Sequence, residues 1–83
     1  MRATVLVRPK HGILDPQGQA VETSLRDLGF PVGETRVGRL VDVEVATDDP
    51  AAARELVDRM CEQLLTNPLI ESYAISLDEA ETL

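Results

Sequence analysis

The sequence predicts an α+β fold of order β-α-β(β)-α-β, with one or two strands in the middle, in which a small antiparallel sheet carries two helices on one face. Three apolar stretches with strand character alternate with two stretches whose apolar residues recur at helical spacing. Each helical stretch opens with the same pair, Asp15-Pro16 and Asp49-Pro50, which is a common start of a helix. A chain of 83 residues is long enough for one small core, so residues 1–83 are expected to form a single domain.

The first strand and the first helix have clear boundaries. Ala3–Arg8 is apolar and β-branched with little alternation, which is typical of a well-buried strand, and Pro9 ends it. Asp15 is placed to cap a helix over Pro16–Leu28, and Gly29 is placed to end it. The apolar positions of this helix form one stripe, Val21, Leu25 and Leu28.

Two glycines make the loop before this helix more specific than a simple connection. Gly12 is expected to adopt a positive φ. Gly18 falls in the first helical turn, where glycine weakens a helix by roughly 0.5–1 kcal/mol relative to alanine. Its presence there predicts that another part of the chain packs closely against it.

The middle of the chain alternates between apolar and polar residues over Glu34–Ala46. Strands usually have about 5–6 residues, so this stretch is long for one strand. Gly38 is the natural bend, and the stretch could be one curved strand or two short strands in a hairpin. Two strands would give the βαββαβ order of ferredoxin-like folds. The sequence does not decide between the two arrangements.

The second half of the chain predicts one more helix and one more strand. The helix runs from Pro50 to the Asn67-Pro68 pair. The strand follows over Leu69–Leu77, with Tyr73, Ile75 and Leu77 on one face. Residues 78–83 are expected to be a frayed acidic tail. Because three strands make a small sheet with open edges, we expect a dimer or a higher homo-oligomer to extend it.

Composition excludes several classes of function. The net charge of −7 and the presence of only two aromatic residues argue against a nucleic-acid-binding protein. No apolar run of about 18 residues is present, so we expect no membrane span. A single cysteine and an N-terminus without a signal-peptide pattern predict a cytoplasmic protein.

The reactive side chains do not form a recognisable catalytic set. His11, the only histidine, has no nucleophile or second ligand beside it, and Cys61 falls on the border of an apolar helical stripe. Lys10 could join Arg8 in a cationic pocket for a phosphate or a carboxylate, or it could simply be solvated. Asp48 and Asp49 are explained as helix caps. We therefore expect no catalytic residue and no metal site in this chain.

Four segments of the chain carry more specific motifs. They are VRPKHGILDPQG over 7–18, LRDLG over 25–29, VGR over 37–39 and MCEQLLTNPLIESY over 60–73. In this order they resemble the PurS family, the small subunit of bacterial phosphoribosylformylglycinamidine (FGAM) synthase. The resemblance covers nearly the whole chain. It implies a small antiparallel sheet of the PurS type, which dimerisation extends.

The resemblance implies a non-catalytic subunit of a glutamine-dependent, ATP-consuming carbon–nitrogen ligase of purine (IMP) biosynthesis. Enzymes of this family convert formylglycinamide ribonucleotide, ATP and glutamine to formylglycinamidine ribonucleotide, ADP, phosphate and glutamate. A glutaminase subunit, PurQ, releases ammonia, and a large subunit, PurL, binds ATP and the ribonucleotide. PurS is implied to dimerise, to bridge the two and to assist ammonia transfer. It is expected to bind no cofactor, while the complex uses ATP, Mg and glutamine.

The resemblance also suggests which residues meet other chains. The loop is expected to contact the large subunit, and the proposed contact residues are Lys10, Gly12, Leu14, Asp15, Pro16, Gly18 and Arg39. The apolar sheet face is expected to be shared between the helices and a dimer partner, through Val41, Val43, Val45, Tyr73 and Ile75.

Two other classes of function fit parts of the pattern. An ACT-like small-molecule-sensing dimer shares the βαββαβ order and would bind its ligand near residues 12–18. An acylphosphatase-like hydrolase would need a phosphate-binding loop with an arginine and a nearby asparagine. Asn67, the only asparagine, is better explained by the end of a helix before Pro68.

Overall fold

The computed structural model describes residues 1–78, in which three strands alternate with two helices. The elements are β1 (Arg2–Pro9), α1 (Pro16–Asp27), β2 (Arg39–Glu44), α2 (Pro50–Met60), a π-helical turn (Cys61–Leu65) and β3 (Glu71–Asp78). The predicted order β-α-β(β)-α-β is confirmed, with a single strand in the middle. The predicted frayed tail over 78–83 lies outside the described residues, apart from the backbone of Asp78, which ends β3.

The first strand of the chain is the central strand of the sheet. The strand order is β2-β1-β3, and β1 pairs antiparallel with both neighbours. Val5 lies opposite Val41 on one side and Ile75 on the other. Because alternate residues of a strand point to opposite faces, this register gathers the apolar residues on one face. That face carries Ala3, Val5, Val7, Val41, Val43, Tyr73, Ile75 and Leu77, as the alternation predicts.

The core forms where α2 packs on β1 and β3. Asp49 caps this helix, its Oδ1 accepting a hydrogen bond from the backbone N–H of Ala51 at 3.2 Å. The buried helix residues Ala53, Val57 and Cys61 lie against the central strand. Fully burying a valine such as Val57 contributes about 1.5–3 kcal/mol to stability. Burial also raises the pKa of the Cys61 thiol, which packs as the small hydrophobic residue that the sequence predicts.

No helix among residues 1–78 combines the length and the apolar character that crossing a membrane would require.

The second helix ends in a widened turn. Thr66 donates two hydrogen bonds to the carbonyl oxygen of Cys61, from its backbone N at 3.1 Å and from its Oγ1 at 2.9 Å. This spacing of five residues is that of a π-helix. Asn67 then turns the chain, its Oδ1 accepting from the backbone N–H of Leu69 at 3.2 Å. The chain therefore leaves α2 and enters β3 through a short, well-bonded turn.

The first helix makes its main contacts with the segment that leads from α1 to β2, here called the returning segment, rather than with the sheet. It ends in a Schellman motif, in which the backbone N–H of Phe30 donates to the carbonyl of Leu25 at 3.0 Å and Gly29 has a φ of 97°. In the predicted apolar stripe, Val21 is 41% exposed and Leu28 is 74% exposed. Only α2 covers the sheet extensively, so the apolar stripe of α1 is left largely uncovered in a single chain.

The structure answers the question that the sequence left open at Gly38. A single strand, β2, begins at Arg39, directly after this glycine. The residues before it run beside α1, where the backbone N–H of Thr35 donates to Glu22 Oε1 at 3.2 Å. A Cβ on Gly38 would collide with the carbonyl oxygen of Val7, so glycine allows the chain to approach the end of β1. The stretch is therefore neither one long strand nor a hairpin.

Candidate functional site

The loop between β1 and α1 lies at the end of the sheet where β2 and β3 begin. Lys10 fixes it to the turn before β3, because its backbone N–H donates to the carbonyl of Ile70 at 2.9 Å and its Nζ donates to that of Pro68 at 2.7 Å. Gly12 adopts the positive φ that the sequence predicts, 83°. The loop is therefore held in one conformation while its surface remains exposed.

Asp15 joins the first helix to the chain that returns from it. One carboxylate oxygen accepts from the backbone N–H of Gly18 at 3.0 Å, which is the predicted helix cap. The other accepts from the backbone N–H of Val37 at 2.9 Å. These bonds, first that from Val37 and then that from Gly18, favour the ionised form and lower the pKa of Asp15. Both oxygens of this carboxylate are thus already used within the chain.

Gly18 is buried in the first turn of α1, as its position in the sequence predicts. A Cβ at this residue would collide with the backbone carbonyl oxygen of Thr35 and with the carboxylate of Asp15. The missing side chain lets the returning segment pass directly over the helix. Gly18 therefore allows the returning segment to pack against α1, and it is itself buried.

Arg39 closes the same end of the sheet through an ion pair. Its Nη1 lies 2.7 Å from Glu71 Oε2 and its Nη2 lies 3.1 Å from Glu71 Oε1, which is the two-pronged geometry that guanidinium favours. The Nη2 also donates to the carbonyl of Leu65 at 2.5 Å, and Glu71 accepts from the backbone N–H of Asn67 at 2.7 Å. The pair raises the pKa of Arg39 and, with Asn67, lowers that of Glu71. It ties β2 to the turn that leads into β3.

A shallow cleft of about 230 Å³ opens between the loop and the end of the sheet. Its lining includes apolar side chains from the loop and from the turn before β3, namely Ile13, Leu14 and Ile70, together with Arg8 and Arg39. Pockets for small molecules commonly have volumes of about 300–1,000 Å³ and enclose most of the ligand. The cleft is smaller than this range, and it fits a side chain of another protein better than a free metabolite.

The structure brings the predicted loop residues to one end of the sheet, but it divides them into two groups. Asp15, Gly18 and Arg39 make contacts within the chain, and of these three only Arg39 is exposed. The other four predicted contact residues are exposed loop residues, namely Lys10, Gly12, Leu14 and Pro16, and Lys10 also bonds to the turn before β3. The sequence did not single out Ile13, Ile70 or Glu71, which complete this end. Large apolar residues beside Gly12 and Pro68 were the available signal, because turns normally carry small and polar residues.

The second predicted set lies on the face of the sheet that α2 partly covers. Val45 is 4% exposed and belongs to the core of the chain itself. Tyr73 is half-buried, and its hydroxyl donates to Asp58 Oδ1 on α2 at 3.1 Å. Val41 and Val43 are also half-buried, on the strand that α2 covers least.

No three histidine, cysteine, aspartate or glutamate side chains come together as a possible metal site within residues 1–78. His11 is exposed in the loop.

Comparisons with known proteins agree over almost the entire chain. The family model PurS, described as phosphoribosylformylglycinamidine (FGAM) synthase, matches residues 2–79. The PurS subunit of this synthase from Methanocaldococcus jannaschii is 33% identical over 81 residues, covering 96% of this chain and 98% of that protein. The PurS subunit from Archaeoglobus fulgidus is 40% identical over 79 residues, with coverages of 90% and 95%.

Solved structures give the same result. The crystal structure of M. jannaschii PurS, described as one of the subunits of formylglycinamide ribonucleotide amidotransferase in the purine biosynthetic pathway, superimposes with a TM-score of 0.83. It covers 96% of this chain and 98% of its own. A chain of the Thermotoga maritima PurLQS structure superimposes with a TM-score of 0.83 at 33% identity, covering 90% of this chain and 93% of its own.

Proposed function

Because the chain belongs to the PurS family, we propose that it is the small, non-catalytic subunit of a phosphoribosylformylglycinamidine synthase in purine biosynthesis. It bridges the glutaminase subunit PurQ and the synthetase subunit PurL and assists the transfer of ammonia between them. The observation that carries this proposal is the family match over residues 2–79. The similarity to a chain of the PurLQS structure from T. maritima supports the choice of partners.

The proposal assigns the chemistry to the complex rather than to this chain. PurL and PurQ use ATP, Mg and glutamine, and the small subunit binds none of them. The chain acts as one domain over residues 1–83, in the cytoplasm, where the purine pathway supplies the substrates.

The loop and the cleft provide the surface for PurL. Four exposed loop residues of the predicted contact set, Lys10, Gly12, Leu14 and Pro16, meet the large subunit directly. Asp15, Gly18 and Arg39 contribute by holding the loop and the end of β2 in place. A surface that is held rigidly before binding loses little conformational entropy when a partner docks, which favours affinity.

A second copy of the chain covers the apolar face that α2 leaves open. Val41 and Val43 are the strongest members of the proposed dimer interface, because they are half-buried on the strand that α2 covers least. Tyr73 and Ile75 flank this face from β3, and Val45 supports it from within the core. The ACT-like alternative is not favoured, since the matches follow the PurS pattern from end to end and the cleft at the loop is small.

The first test is a synthase assay with purified PurL and PurQ from the same organism, with and without this chain. We expect glutamine-dependent formation of formylglycinamidine ribonucleotide to require the chain, while the chain alone turns over nothing. With ammonium salt in place of glutamine, PurL is expected to work without it, because no ammonia then has to pass between subunits. Glutamine-dependent synthesis that is equal with and without the chain would contradict the bridging role.

Replacing Lys10 with alanine tests the assignment of the loop. We expect binding to PurL to weaken about fivefold to tenfold, which corresponds to about 1–1.4 kcal/mol. The melting temperature should change little, because the Lys10 side chain is exposed and makes a single hydrogen bond, to Pro68. Arg59→Ala is the matched control, since Arg59 is an exposed basic residue of α2. Normal binding and full glutamine-dependent synthesis by Lys10→Ala would show that the loop assignment is wrong.

A further inference from the structure

We propose that PurL also binds the turn between α2 and β3, and that Leu69 in this turn is a main apolar anchor of the interface. The inference rests on the proposed function and extends the contact surface beyond the loop. The surface consists of Ile13 and Leu14 from the loop and Leu69 and Ile70 from the turn, and we name it the apolar end.

The two halves of the apolar end are joined by direct contacts. Lys10, at the start of the loop, donates hydrogen bonds to the carbonyls of both Pro68 and Ile70 in the turn. Ile13, Leu14 and Ile70 line the same cleft. The segments are about 60 residues apart in the sequence, yet the hydrogen bonds of Lys10 hold them at the same end of the sheet.

The exposure of these side chains is unusual for a loop and a turn. Leu69 is 83% exposed and Leu14 is 70% exposed, while Ile70 and Ile13 are exposed by 40% and 39%. A contiguous group of large apolar residues on a surface marks a site of protein interaction more often than single residues do. Side chains that become fully desolvated near the centre of an interface contribute most of its binding free energy.

The charges around the apolar end favour a different protein over a second copy of this chain. Arg8, Lys10 and Arg36 lie around it, and none of them forms an ion pair within residues 1–78. Of the nearby carboxylates, Glu71 is paired with Arg39 and Glu22 with Arg26. Asp15 and Glu34 then stand against the three cations, so the rim keeps a net positive charge.

A two-fold contact would place this basic rim against its own copy and oppose like charges. The rim instead fits a partner surface that is apolar at its centre and acidic at its edge. The surface is continuous with the loop that the proposed function assigns to PurL. PurL is therefore the occupant that we assign to the apolar end.

The test compares Leu69→Asp with Leu28→Asp in the full-length chain. Leu28 is a matched control because it is 74% exposed and lies at the far end of α1.

Affinity for purified PurL and for purified PurQ is measured by calorimetry, and the mass of each isolated variant by light scattering. We expect Leu69→Asp to weaken PurL binding by about tenfold or more. Leu28→Asp should bind PurL normally. Leu14→Ser is a second variant with the same expected loss, in case Leu69→Asp does not fold.

The outcomes separate this inference from the proposed function. If the wild-type chain does not bind PurL, both fail. If the wild-type chain binds PurL and neither Leu69→Asp nor Leu14→Ser weakens that binding, only the present inference is overturned. It is also overturned if Leu28→Asp loses as much affinity, or if the loss concerns PurQ alone. A change in the mass of the isolated Leu69→Asp chain would identify a second copy as the occupant and would contradict the assignment to PurL.

Discussion

Replacing Gly18 with alanine is expected to lower the free energy of unfolding by about 1–3 kcal/mol, the usual cost of forcing extra volume into a packed site. The added Cβ would collide with the backbone carbonyl oxygen of Thr35, which cannot rotate away as a side chain can. The sign of this change is informative, because helix propensity alone predicts that alanine would stabilise the chain. Alanine in a helix is more favourable than glycine by roughly 0.5–1 kcal/mol.

Gly33→Ala provides the control for this substitution. A Cβ at Gly33 meets no atom within 4 Å, and its backbone has no positive φ. Urea unfolding of both variants, followed by circular dichroism, gives the two free energies directly. We expect Gly33→Ala to remain within about 0.5 kcal/mol of the wild type. A Gly18→Ala protein as stable as the wild type would mean that the returning segment does not pass over α1 as described.

Replacing Asp15 with alanine is expected to destabilise the chain more than replacing Asp49. Both residues cap a helix, so both substitutions remove one hydrogen bond to a helical N–H. Asp15 also accepts from Val37, and its loss leaves that N–H without its partner. Thermal melting of the two variants should show the larger decrease for Asp15→Ala. Equal decreases would indicate that the bond to Val37 contributes nothing to stability.

The same carboxylate gives a pH-dependent signature. The pKa of Asp15 is lower in the folded chain than its unfolded value of about 4. The unfolded state therefore binds the proton more readily, so the stabilisation by Asp15 is present above pH 4 and is lost as pH falls through the folded pKa. Melting temperatures of the wild type should fall more steeply below pH 4 than those of Asp15→Asn. Glu71 has a lowered pKa in both proteins, so its contribution cancels in the comparison.

The structural role of Asp15 affects how substitutions at the proposed interface are interpreted. The family resemblance suggested Asp15 as a contact residue, but its carboxylate holds α1 and the returning segment together. An Asp15→Ala variant that binds PurL poorly would reflect a disturbed loop as readily as a lost contact. Leu69 is a better probe, because its side chain is 83% exposed. Lys10 is also better, because its replacement removes only the hydrogen bond from Nζ to Pro68 and keeps the backbone bond to Ile70.

Local sequence chemistry predicted much of the architecture. The Asp-Pro pairs located the start of each helix, Gly29 located the end of the first, and alternation assigned the faces of the strands correctly. The close approach at Gly18 also followed from the sequence, because glycine is unfavourable in a helical turn unless another group needs its space. The signal for each of these features lies in residues within a few positions of one another, even where the contact itself is with a distant residue, as at Gly18 and Thr35.

Features that depend on distant residues could not be predicted in this way. The strand β2 begins only at Arg39 because the preceding residues bind Asp15 and Glu22 on the first helix. Alternation alone cannot distinguish such a segment from a strand. The apolar end was missed for the same reason, since its loop and its turn are held together by the hydrogen bonds of Lys10 to Pro68 and Ile70.

The position of β1 at the centre of the sheet has a consequence for biosynthesis. Among the described strands, β1 is synthesised before both of its neighbours, and one of them, β3, follows all the other elements. Until residues 71–78 emerge from the ribosome, an apolar strand has at least one unpaired edge and an uncovered face, the state in which nascent chains aggregate most readily. The sheet can therefore close only after β3 has emerged. A slow-folding partner fused to the C-terminus is not expected to lengthen the time for which this edge is exposed. Truncation within β3, in contrast, should direct the product into inclusion bodies.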